Sequence, residues 1–323
     1  MPLYESPSEM QEYWDDLNGT EREYTPQNSL ITAPFYGVFF ISWFGLVGNG
    51  TVLWYLWVRI SRTPFTTYVL NLAIADFMFL LFFIVTVILL WLLPTHRLIV
   101  ISLPIYIMTA TLTFGYQTSQ FLLTTISVER CLSVVYPIWY RCHRPRNQSA
   151  LVCIVLWVYC CTSAVTEALL FLTDGFCIEF YIFQAVLYFC ILTPVMLLSN
   201  LFLLNSICKK SQRRRHARPY VLILSTVFAF LSLSLPFFIT SYLVVFGFLT
   251  VPPIYIIPAV YSICINSGIN PILYVLVGSL RRKGSKATIR QALQKAFQED
   301  SELPQNEDGA FPQQQCLTMR SPL

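Results

Sequence analysis

Charge is what this sequence has least of. Of its 323 residues only 12% are Asp, Glu, Lys or Arg, while 55% are hydrophobic. A soluble chain of this length needs far more charge to cover its surface. No charged residue occurs from Tyr24 to Val58, or from Pro219 to Leu280. The first thirty residues are polar and acidic and lack an apolar signal core, so the first apolar span is expected to direct its own insertion. There is no Lys between Lys210 and Lys283, which excludes a retinal Schiff base in the last span. Neither H-E-x-x-H nor G-x-S-x-G is present, so no catalytic site is expected. Internal repeats and a charged path through the spans are also missing, against a transporter or channel. No pair of cysteines has C-x-x-C spacing, so Cys131, Cys142, Cys153, Cys160, Cys161, Cys190, Cys208 and Cys264 read as small apolar packing residues. Cys177 falls in an outer loop, where it either pairs with Cys190, deep in the following span, or stays free.

What is present is a set of seven apolar stretches, each near the ~20 residues a helix needs to cross a bilayer. They lie near residues 33–57, 67–93, 98–127, 149–172, 178–207, 219–246 and 254–277, the last two separated by Gly247, Pro252 and Pro253. The basic residues sort by loop. Arg59 and Arg62 follow the first span, and Arg141, Arg144 and Arg146 follow the third. Lys209, Lys210, Arg213, Arg214, Arg215 and Arg218 follow the fifth, and Arg281, Arg282, Lys283 and Lys286 the seventh. The opposite side carries Arg22 and Arg97 and an acidic N-terminal segment. Positive charge marks the cytoplasmic side, so the expected fold is an all-α membrane protein. It is a seven-helix bundle with its N-terminus outside and its C-terminus inside, at the plasma membrane.

Four regions follow: an acidic extracellular tail over 1–32, the bundle over 33–278, an amphipathic helix over 279–298 and a disordered cytoplasmic tail over 299–323. In the third region Ile289, Leu293 and Phe297 repeat every four residues opposite Arg282, Lys286 and Arg290, which suits the anionic inner leaflet. Asn18-Gly19-Thr20 is a glycosylation sequon in the outer tail.

Ionisable and polar groups inside spans are expensive and mark function. Asp76 lies mid-span in the second stretch, Glu129 and Arg130 adjoin at the inner end of the third, and Asn270-Pro271-Ile272-Leu273-Tyr274 sits in the seventh. Together with Gly48-Asn49, Asn71, Cys131, Trp157, Pro194 and Pro236, in this order on these spans, they resemble a rhodopsin-like G-protein-coupled receptor. The run from Glu129 to Pro145, with Glu-Arg-Cys in place of the commoner Asp-Arg-Tyr, resembles the Mas-related subfamily. The likeness covers residues 30 to 297.

The resemblance implies a receptor that passes an extracellular peptide or cationic signal to a heterotrimeric G protein, with arrestin and membrane lipid as further partners and no nucleic acid. It implies an activation switch of Glu129, Arg130, Pro236, Asn270, Pro271 and Tyr274. In that switch Arg130 pairs with Glu129 at rest and swings toward Tyr274 on activation. It implies a sodium pocket of Asp76, Ser119, Asn266 and Asn270, and no other cofactor or metal. Glu167, near the outer end of the fourth span, matches an acid that receives cationic ligands in several Mas-related receptors. Asp174 and Glu179 add negative field there, and Tyr106, Tyr116 and Phe237 are the expected aromatic walls.

The sequence departs from the wider pattern at several points. Leu103-Pro104-Ile105-Tyr106 lacks the usual third-span Cys, and Phe171 stands where some Mas-related receptors have a fourth-span Cys. Leu112 replaces the Asp of amine receptors, Ser234 the Trp before Pro236, Phe202 a fifth-span Tyr, and Phe180 a second family acid. Arg213-Arg214-Arg215-His216-Ala217-Arg218 holds no acid to lock Arg130, which predicts signalling without ligand. The alternative function is a receptor-like membrane scaffold that does not signal.

Overall fold

Lipid offers a backbone no hydrogen bonds, so uncharged stretches of this length must satisfy their own amides as helices. The computed structural model describes residues 29–60, 63–92, 98–145, 147–173, 177–209, 225, 227–229, 231–233, 235–247 and 256–279. The elements are α1 (Ser29–Arg59), α2 (Pro64–Leu92), α3 (Leu98–Val135), a short α4 (Pro137–Cys142), α5 (Gln148–Leu172), α6 (Ile178–Ala185), a π-helical segment (Val186–Leu192), α7 (Thr193–Lys209), α8 (Leu235–Val245) and α9 (Ile256–Ser279). Among the described residues, Tyr36–Arg59, Pro64–Leu89, Gln148–Leu170 and Ile178–Ser206 are long and apolar enough to cross a membrane.

The third span runs past the Ser127 limit expected from charge, because charge does not break a helix. Proline does. Tyr136 leaves helical geometry at φ −121°, ψ 62°, as the residue before a proline tends to, and Pro137 starts α4 at the position where its missing N–H is harmless. The fifth span contains the opposite accommodation. Pro194 lacks an N–H and would press on the carbonyl of Cys190, and the widened π turns of Val186–Leu192 lie just before it.

The packing is inside-out relative to a soluble protein. Trp43, Phe44, Trp54 and Trp57 are exposed, whereas Asn49, Asp76, Thr118 and Gln120 are fully buried. The largest core joins Tyr55, Tyr68, Leu72, Leu122, Met196 and Tyr274, from the first, second, third, fifth and seventh spans. The first and seventh spans meet at Gly45 and Gly268, where a Cβ on Gly45 would sit 2.9 Å from the Gly268 Cα. That approach lets Asn49 Nδ2 donate to the Ser267 carbonyl at 3.0 Å. Small residues permit such contact between helices in lipid, where burial of apolar surface gives no driving force.

Cys142 departs from its expected packing role. It ends α4, outside the packed spans, and is disulfide-bonded. Cys131, Cys153, Cys160, Cys161, Cys190 and Cys264 are free thiols, as is Cys177, whose Sγ donates to Glu179 Oε2 at 3.3 Å.

Candidate functional site

The polar side chains of the bundle gather at three levels along α3. At the middle level lies Asp76. Its Oδ1 accepts from Ser119 Oγ at 3.1 Å and its Oδ2 from Asn270 Nδ2 at 2.7 Å. Ser267 hydrogen-bonds to the same carboxylate. Three of the four residues expected in the pocket are therefore together. Asn266 is buried but gives Asp76 no hydrogen bond among the described residues, and Ser267, one position on, supplies the further hydroxyl. The adjacent position matters because neighbouring residues on a helix point about 100° apart. Above and below this level, Trp157 Nε1 donates to Asn71 Oδ1 at 2.9 Å, and Tyr159 Oη donates to Gln184 Oε1 at 2.8 Å. Gln184 Nε2 in turn donates to Ser163 Oγ.

At one end of α3 lies Glu129. Its Oε1 accepts from Tyr68 Oη at 3.0 Å and from Arg144 Nη2 at 2.7 Å, and the same Arg144 nitrogen donates to Ser149 Oγ at 2.8 Å. The cation seated on Glu129 was expected to be Arg130. The structure gives it Arg144 instead, and sets the Arg130 guanidinium 3.7 Å from the centre of the Phe65 ring. The reason is geometric: consecutive residues of a helix do not face each other, whereas the turn after α4 carries Arg144 back over the helix end. Tyr140 helps to hold it, with its ring 4.8 Å beneath the Arg144 guanidinium. Burial, with the Glu129 carboxylate adding to it, pushes the Tyr140 phenol up to about 12, so Tyr140 stays neutral. Tyr274, the expected later partner of Arg130, is buried in the core with Tyr55 and Tyr68.

About two turns before Ser119, near the middle of α3, Thr113 Oγ1 donates to Glu167 Oε1 at 3.2 Å. The field of this carboxylate reaches Tyr181 and Tyr242. Beneath it the rings of Phe121 and Tyr159 pack edge to face at 5.0 Å, and those of Phe189 and Tyr242 at 5.6 Å. Tyr181 and Tyr242 were missed from sequence. Each is one aromatic among many on an apolar span, and no motif sets it apart. Glu179 is exposed and hydrogen-bonded to Cys177. Asp174 and Asn18, and the side chains of Tyr106, Tyr116, Pro236 and Phe237, lie outside the described residues, as do the segments 280–298 and 299–323.

Two comparisons bear on this arrangement. The family described as 7 transmembrane receptor (rhodopsin family) matches residues 48–274. Proto-oncogene Mas of Homo sapiens is 37% identical over 275 residues, which cover 83% of this chain and 84% of that protein. Mas-related G-protein coupled receptor member D of Macaca fascicularis is 38% identical over 271 residues, covering 80% and 83%. Mas-related G-protein coupled receptor member X2 of Hoolock hoolock is 39% identical over 302 residues, covering 90% of each chain. The family match over residues 48–274, with relatives 37–39% identical over about four fifths or more of the chain, shows that it belongs to the Mas and Mas-related family of rhodopsin-like seven-transmembrane receptors, multi-pass proteins of the plasma membrane and not enzymes.

Proposed function

We propose that this receptor takes a basic peptide or cationic amphiphile at Glu167 on the outer side and passes the signal to a heterotrimeric G protein at the Glu129 end. The observation that carries this reading is that α3 serves both sites. Thr113 touches Glu167 and Glu129 holds Arg144, and these two α3 residues lie 16 positions apart. At a helical rise of ~1.5 Å per residue that separation is about 24 Å, most of a bilayer core. A rigid helix engaged at two well-separated levels is the simplest element whose equilibrium an outer ligand and an inner partner can both bias.

The orientation rests on the basic loops: Lys and Arg gather on the Glu129 side, which is the cytoplasmic side by the positive-inside rule. Asn18 is then extracellular and open to glycosylation, and the segment 279–298 lies on the inner leaflet. Arrestin would meet the same inner face. The Asp76 carboxylate and the hydroxyls of Ser119 and Ser267 offer oxygens that suit a hard monovalent cation such as sodium, and Asn270, whose amide nitrogen here donates to Oδ2, would turn its own oxygen toward it.

Basal signalling is expected because the segment from Arg213 to Arg218 has no acid to hold Arg130. A G-protein dissociation panel without ligand tests the reading. Wild type should exceed mock-transfected cells at matched surface expression, and Arg130→Ala should fall to the mock level. Wild type equal to mock, both without ligand and with a library of basic peptides, would favour a scaffold that does not signal.

A further inference from the structure

The third and fifth spans run side by side and in step. Gln120 Nε2 donates to Thr193 Oγ1 at 3.2 Å, and seven residues further along each span Asn200 Nδ2 donates to Ser127 Oγ at 3.0 Å. From this second pair α3 continues eight residues to Val135, where it ends. Over the same eight residues α7 reaches Cys208, one position before it ends at Lys209. At ~1.5 Å per residue both chains arrive at one level, about 12 Å beyond the pair. There α4 begins, and its last residue is Cys142.

Cys142 is half-buried and disulfide-bonded. Its mate is none of the seven free thiols. The sequence then leaves Cys316 and Cys208, whose side chain lies outside the described residues. Helix packing already brings Cys208 to the level of α4. Cys316 follows Ser279, where α9 ends, by 37 residues, and holding it at α4 would add the entropy of closing that length of chain. Both Cys142 and Cys208 have basic neighbours in sequence, Arg141, His143 and Arg144 for the first and Lys209 and Lys210 for the second. Electropositive, partly exposed surroundings are those in which thiols react with peroxide.

We propose that Cys142 and Cys208 form a redox modification site, a dithiol that hydrogen peroxide closes and glutathione opens. The inference rests on the orientation proposed above, which puts both residues on the cytoplasmic side. Glutathione keeps thiols reduced there, and the disulfides that do form are transient. In closing, one thiol reduces peroxide, becoming a sulfenic acid and releasing one water. The second thiol attacks the sulfenic sulfur, forms the S–S bond and releases a second water. Two glutathione thiols reverse the step and leave as glutathione disulfide. The closed form ties the end of α4 to the fifth span. Cys142 lies two residues from Tyr140 and two from Arg144, so the tie fastens Arg144 on Glu129, on the face proposed to meet the G protein.

The test uses the full-length receptor in cells. After a pulse of hydrogen peroxide or of buffer, free thiols are blocked with a permeant maleimide and the purified chain is mapped by mass spectrometry. The expected result is a Cys142–Cys208 cross-linked peptide that rises about tenfold with peroxide and disappears in a peroxide-free chase. In Cys208→Ser the second thiol is missing, so Cys142 should stop at sulfenic acid and be trapped by dimedone. A cross-link from Cys142 to Cys316 overturns the proposal, as does one equally abundant with and without peroxide. So does a Cys142 that remains a thiol at doses that oxidise the cell's peroxiredoxins. A membrane-impermeant maleimide separates the two readings. If it labels Cys142 on intact cells, the loop is outside and the orientation fails together with the dithiol. If Cys142 is protected from it yet unresponsive to peroxide, the dithiol alone fails.

Discussion

The two carboxylates that meet the third span, Glu129 on it and Glu167 across from Thr113, differ in how fully they are engaged. Glu129 receives a tyrosine hydroxyl and an arginine on one oxygen, and that arginine is shared with Ser149 and laid over Tyr140. Glu167 receives one threonine hydroxyl at 3.2 Å among the described residues, with aromatic rings around it. A buried charge without a cation is unfavourable, and proteins keep such groups where a ligand or a change of state compensates them. Glu129 thus already holds its cation within the chain, whereas half-buried Glu167 holds none among the described residues. The same residue type is engaged differently because a loop folds back to set Arg144 on Glu129, while Glu167 meets no cation among the described residues.

The comparison breaks most visibly at Arg144. Removing one partner of a buried ion pair costs about 3–5 kcal/mol, because the other is left buried and charged. Arg144→Ala should therefore lower thermal stability and surface expression sharply. Arg144→Ala/Glu129→Gln should recover most of the loss, since the stranded charge is gone. A double variant no better than Arg144→Ala would mean that Arg144 acts through packing on Tyr140 and not through Glu129. No such collapse is expected at Glu167, which has no cation to lose among the described residues.

How much of this was readable in advance depends on distance along the chain. The seven spans were legible because lipid imposes length and apolarity on each one locally. The Asp76 group was legible from the order of its motifs, except that Ser267 takes the place expected of Asn266, a difference of one helical step. The Glu129–Arg144 pair was hidden, since it depends on how Pro137 and the short α4 redirect the chain after Val135. Charge patterning could place Arg144 on the inner side but could not point it inward. The π turns of Val186–Leu192 had a signal in Pro194, but proline alone does not say whether a helix kinks or widens. Tyr181 and Tyr242 had none, because an aromatic beside a carboxylate and one facing lipid look alike on an apolar span.

At Glu167 the sharper test is functional. A hydrogen bond to a charged group contributes about 1.5–3 kcal/mol. Glu167→Gln, which keeps the shape and removes the charge, should reduce the potency of a basic agonist by about 10–100-fold. Surface expression and basal signalling should stay near wild type. Unchanged potency across several basic agonists would show that Glu167 is a helix-end polar group and that the cationic ligand binds elsewhere.

The finest distinction comes from two small substitutions that each remove one hydroxyl from one carboxylate. Tyr68→Phe takes a donor from Glu129 and should cost about 1 kcal/mol of stability, the usual net value of one hydrogen bond. Agonist potency should hardly move, because Arg144 still holds the carboxylate. Thr113→Val takes the donor from Glu167 and should cost less, near the ~0.6 kcal/mol average for a polar contact between membrane helices. Its main effect should be on binding. A carboxylate released from Thr113 is free to turn toward a cation but is no longer oriented for it, so potency should shift by no more than a few-fold while maximal response holds. If instead Thr113→Val destabilises the receptor as much as Tyr68→Phe and leaves every agonist unaffected, Glu167 serves structure as fully as Glu129 does, and the asymmetry between the two carboxylates disappears.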